Sequence, residues 1–180
     1  DNKIFFDSLA ANVDGKLLDE NGNETDKLAG IQRRHANQHI PQIIGAMEIY
    51  EATVAKGSPE MYYFDVAENF WQMVVSRYAY STGGVGTGEK FMDPYQQANN
   101  ISGNENCETC AAYNLLKLTR MLNNYNPDNA EYMDYYERTL YNQILASQTP
   151  NVTASMHNGT TYMLPIGPGA TISYGDDYNS

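Results

Sequence analysis

The chain has 180 residues and a formal net charge of −11, enough length for one domain with its own core and too acidic for a nucleic-acid or polybasic membrane partner. No apolar run reaches the roughly 18 residues that cross a bilayer. No signal peptide stands at Asp1, and Asp1 is not a natural start.

In chain order, Ile4, Phe5, Leu9, Val13 and Leu17 recur at helical spacing and predict a first helix over residues 4–18. The polar stretch DENGNETDKLAG reads as a solvated loop, since the ladder of calcium ligands and its closing glutamate are missing. A second helix is expected over residues 38–55, with Pro41 in its first turn. Just ahead of it, RRHANQH holds two of the three histidines. Ser58 as N-cap and Pro59 at the first helical position open a third helix to about Tyr80, stopped by Gly83 and Gly84. A fourth is expected from about Asn106 to Tyr125. A fifth, capped at Asn126-Pro127-Asp128, runs to about Ala146. Beyond Pro150, short alternating pieces near 152–156, 160–165 and 170–174 suggest strands or extended loops. About five helices make the fold mainly α and the chain a single domain.

Both cysteines, with Glu89, Glu105 and Glu108, lie between residues 81 and 122, and no other segment gathers so many groups able to do chemistry. GGVGTGEK looks like a phosphate loop, but Glu89 follows Gly88 where the motif needs Lys and Ser/Thr, and a helix precedes it. A carboxylate there repels phosphate. What the glycines permit is a backbone turn that brings Glu89 close to a ligand; the plainer reading is an interhelical loop with a solvated acid. Cys107-Glu108-Thr109-Cys110 is a CxxC without the βαβ context of a redox pair. It is also only half of a structural zinc site. Glu108 and Cys110 share a side in extended backbone but not on a helix. To act together they need the chain to stay extended until just before the helix. Otherwise Glu108 is an acid on the helix dipole and Cys110 a small buried residue. Fifteen tyrosines suit sugar stacking as well as helix packing.

In order, NQHIP at Asn37–Pro41, TGG…GEKF ending at Phe91, ETCAAYNLLKLTRML from Glu108, ERTLYNQILAS from Glu137 and YMLPIGPGA from Tyr162 resemble the bacterial β-L-arabinofuranosidases of glycoside hydrolase families 127 and 146. The resemblance implies part of an (α/α)6 toroid and a retaining hydrolase with a cysteine nucleophile. It also implies a zinc ion held by one glutamate and three cysteines. On this chain the acid/base matches Glu89, the zinc ligands Glu108 and Cys110, and the sugar-contacting residues His39 and Tyr141. The substrate is then an arabinofuranose-containing oligosaccharide or glycan. A Cys-Cys pair that follows the LPIGPGA-like segment in the family is not in this chain. The chain therefore reads as a partial catalytic domain with weak or no zinc, no turnover alone, and apolar helix faces that favour an oligomer. A non-catalytic helical module that binds sugar or serves as scaffold is the competing reading. The compartment stays open.

Overall fold

The computed structural model describes residues 2–11, 16–18, 23–28, 30–101, 105–148 and 159–172. Its order is α1 (Asn2–Ala11), β1 (Lys16–Leu18), β2 (Glu24–Leu28), α2 (Ala36–Ala55), α3 (Met61–Arg77), a 3-10 turn (Ala98–Asn100), α4 (Thr109–Tyr125), α5 (Ala130–Thr139) and a π-helical turn (Leu140–Leu145). The mainly α expectation is met.

Several boundaries differ from the sequence reading, each for a local reason. The first helix ends at Ala11, and Lys16–Leu18 instead pairs antiparallel with Glu24–Leu28, inside the stretch read as a loop. Helix α3 starts at Met61, not Ser58. Gly57, at φ 76°, closes α2, and the Ser58 N–H bonds back to the Thr53 carbonyl at 3.0 Å. That is a Schellman-type stop, so Ser58 finishes one helix and does not begin the next. Helix α4 starts at Thr109 because Asn106 and Glu108 make bridges to Thr87 and Met163. Helix α5 is capped by Asn129, whose side chain accepts from the Glu131 N–H at 3.2 Å. The expected strand near 152–156 lies outside the described residues. Residues 160–165 form only isolated bridges, and Ala170–Ile172 form no strand.

The core sits between α2, α3 and α4, which pack on one another, with α1 on α3 and α5 on α4. Ile40, Ile43, Met47, Val66, Phe70, Trp71, Leu115 and Leu122 fill it. Burial of each such side chain contributes about 1.5–3 kcal/mol. Two of the core tyrosines, Tyr132 and Tyr135, pack edge-on against Trp71, with ring centroids 4.8 and 5.7 Å away. Their hydroxyls are bonded to Glu68 and to the Gly83 carbonyl. Trp71 in turn donates to Thr119 Oγ1 at 2.8 Å, which ties α3 to α4. Both α2 and α4 begin at the same end of the molecule, where four loop segments lie side by side.

Candidate active site

Those four segments are 33–36, 86–91, 105–109 and 161–164. The Glu89 loop is stitched to the first by bonds from Arg33 N to Phe91 O (2.8 Å), Phe91 N to Arg34 O (2.9 Å) and Ala36 N to Glu89 O (2.8 Å). It is stitched to the second side by Gly88 N to Glu105 O (2.9 Å) and Cys107 N to Gly86 O (3.1 Å). The 105–109 segment is held in turn by Leu164 N to Cys107 O (3.2 Å) and Thr109 N to Tyr162 O (2.9 Å). Buried Asn106 locks the middle, donating to Thr87 Oγ1 at 2.8 Å and to the Asn100 carbonyl at 3.0 Å. The glycine loop is therefore bound on both sides.

Three side-chain-bearing residues in this weave are left-handed: Arg33 at φ 63°, Glu89 at φ 65° and Cys107 at φ 57°. Such residues cost of order 1–3 kcal/mol and persist where the surroundings over-determine them. The bonds just named supply that constraint.

The side chains converge as the backbone directs. Tyr162 Oη lies 2.9 Å from Glu89 Oε1 and 2.9 Å from Glu108 Oε1. His35 Nε2 lies 3.4 Å from Glu89 Oε2. One hydroxyl carries one proton. Tyr162 can donate to one carboxylate at a time, and the other is left to its second neighbour, His35 at Glu89 or the Cys110 thiol at Glu108. Burial pushes Glu108 up from the usual carboxylate range, against the Tyr162 hydrogen bond that lowers it. Its Oε2 is buried with no hydrogen-bond partner. Cys110 is also pushed up, by burial first and then by the charge of Glu108, with which its thiol is hydrogen-bonded. Burial and the two neighbouring carboxylates raise Tyr162 as well, keeping it a hydroxyl.

Of the residues singled out from sequence, Glu89, Glu108 and Cys110 thus share one cluster. The extended backbone that Glu108 and Cys110 require is there, since helix α4 begins only at Thr109. His39 is half-buried one turn into α2, edge-on to Phe5 at 6.0 Å, and burial lowers its pKa. Tyr141 stands exposed on the π turn. Neither has a described contact with Glu89 or Glu108. Sequence reasoning missed His35 and Tyr162. His35 lies four residues before His39 in the same HANQH run, and nothing in the sequence alone chooses between them. Tyr162 is one tyrosine of fifteen. Cys107 belongs elsewhere: fully buried beside Tyr80 and Leu164, with its sulfur 3.8 Å from Thr82 Oγ1, its thiol is pushed up to about 12. That describes an inert structural cysteine.

Over residues 7–180 the chain matches the family described as beta-L-arabinofuranosidase, GH127 catalytic domain. The chain belongs to the GH127 catalytic-domain family. A solved GH127 beta-arabinofuranosidase, BT3674, is 24% identical, with a TM-score of 0.55 over 82% of this chain. The chain spans 22% of the length of that relative, and the likeness supports a helical GH127 fold of which this is a part. No curated protein matches the chain.

For the zinc that the resemblance implies, Glu108 and Cys110 fit as one side of a site. A buried carboxylate oxygen without a partner beside a thiol is a donor set zinc accepts. Among the described residues, no group of three or more His, Cys, Asp or Glu side chains is placed to hold a metal.

Proposed function

We propose that this chain carries the acid/base and one wall of the zinc–thiolate site of a retaining hydrolase that releases β-L-arabinofuranose from plant glycans. The observation that supports it best is the Tyr162 hydroxyl placed 2.9 Å from both Glu89 and Glu108, with His35 on the far oxygen of Glu89. Two carboxyls that share one hydroxyl, one of them with its pKa raised by burial, suit a site that must give up a proton and take it back. Glu89 is the acid: it protonates the leaving oxygen, then takes a proton from the attacking water in the second step. Tyr162 orients its carboxyl, and His35 holds the other oxygen. Glu108 and Cys110 are the zinc ligands; when bound, the metal keeps its thiolate ligands ionised at neutral pH. Neither cysteine of the chain is the nucleophile, since Cys107 is buried away from Glu89 and Cys110 is a ligand. The attacking thiolate belongs to the larger protein, as do the remaining ligands. His39 and Tyr141 stay proposed sugar contacts that only a bound sugar can test.

The test is release of L-arabinose from a β-L-arabinofuranosyl disaccharide, whose leaving oxygen is basic enough to need an acid. The larger protein is expected to release it, and Glu89→Gln to lose about 10²–10⁴-fold in kcat. The 180-residue chain alone is expected to show no Cys110-dependent turnover. Full activity in Glu89→Gln would refute the assignment of the acid.

A further inference from the structure

The buried face of α5 ends on an amide that reaches into the scaffold of the site. Tyr135, Thr139 and Gln143 are all buried and follow at intervals of four along one side. The first two meet the glycine turn. Tyr135 Oη donates to the Gly83 carbonyl at 2.7 Å, and a Cβ on Gly83 would lie 2.0 Å from Thr139 Oγ1. Gln143 goes further. It lies on the π-helical turn Leu140–Leu145, a rare winding that is frequent at functional sites. Its Nε2 donates to the Cys107 carbonyl at 2.8 Å, and its Oε1 would lie 2.7 Å from a Cβ on Gly84. The amide is therefore wedged between the glycine turn and the left-handed peptide that precedes Glu108. That peptide sends the Cys107 sulfur toward Thr82 and leaves Glu108 facing Tyr162.

We propose that Gln143 is a positioning residue: from the π turn it holds the strained Cys107 peptide, and through it aims Glu108 and Cys110. This rests on the reading of Glu108 and Cys110 as site residues. The π turn is then the structural reason the helix reaches the loop: it presents a donor where the Cys107 carbonyl needs a second partner beside the Leu164 N–H. Gln143 touches neither substrate nor metal.

Gln143→Met keeps the volume and removes the donor. In the larger protein it is expected to lower kcat about 10–100-fold, as loss of an outer-shell partner does, with KM within about twofold. In the 180-residue chain, iodoacetamide is expected to modify Cys110 about tenfold faster, because the partly buried thiol loses the backbone support that seats it against the loop. Gln143→Glu, whose buried carboxyl stays protonated and keeps a donor, is expected to recover most of both. Should Gln143→Met not fold, Gln143→Leu, which also removes the donor, is expected to give the same pair of changes. A lower melting temperature with kcat and alkylation rate unchanged would overturn the proposal. If the larger protein releases no arabinose, the catalytic reading fails, while the alkylation rates still decide the role of Gln143.

Discussion

Glu108 shows how one residue carries a conflict between folding and chemistry. Its carboxyl is 1% exposed, its Oε2 is unpaired, and burial raises its pKa. The folded chain without metal therefore binds this proton more tightly than the unfolded chain does. Stability from that preference is fully present below the unfolded pKa and is lost as pH rises through the raised folded value. Glu108→Gln, which needs no proton, is expected to stabilise the metal-free chain at pH 7 by on the order of 1 kcal/mol, about 2–4 °C in Tm, and to change little near pH 4. Thermal melts of chelator-treated protein at the two pH values check this. Equal Tm for both forms at pH 7 would mean the carboxylate is already well satisfied.

At the scale of the element, Gly83 and Gly45 stand for the two kinds of glycine, one packed against a neighbour and one open. Gly83 sits at φ 91° with Thr139 against it, so Gly83→Ala is expected to destabilise by about 3 kcal/mol. Gly45 lies within α2, and a Cβ there meets nothing within 4 Å. Gly45→Ala is expected to stabilise by up to about 1 kcal/mol. Urea unfolding of the two variants measures both, and a stabilising Gly83→Ala would contradict the packing described. Much of this level was legible in the sequence. The apolar stripes of α2, α3 and α4 located three helices, and the glycines marked the loop after α3. Helix starts were not, because Ser58 and Asn106 look like openers but are used by Thr53 and by Thr87 across space. The π turn left no trace in composition. Of the site, Glu89, Glu108 and Cys110 were found through motif order. His35 and Tyr162 were not, because their roles come from three loop crossings that periodicity does not encode.

At the scale of the molecule, the helices cover one another unevenly. Between α4 and α5 with its π turn lies an open groove of about 290 Å³, lined by Tyr113, Leu116, Lys117, Arg120, Tyr136, Leu140 and Ile144. Its seven lining residues recur at three- and four-residue steps on both helices, the pattern of a face that takes another helix. Open apolar grooves drive association. The 180-residue chain is expected to sediment as an oligomer at micromolar concentration, and Leu140→Glu with Ile144→Lys to shift it toward monomer. A wild-type monomer at all concentrations would show that the groove is tolerated in water.

The account depends most on Glu89 being the proton donor to the leaving group. The direct measurement is kcat/KM for the larger protein and its Glu89→Gln form on β-L-arabinofuranosides with leaving groups of increasing pKa. An acid that protonates the leaving oxygen matters most where that oxygen is most basic. The deficit of Glu89→Gln is expected to be small on a nitrophenyl glycoside and to grow about 10²-fold or more toward an alkyl or sugar leaving group. A deficit that is the same for every leaving group would contradict the assignment.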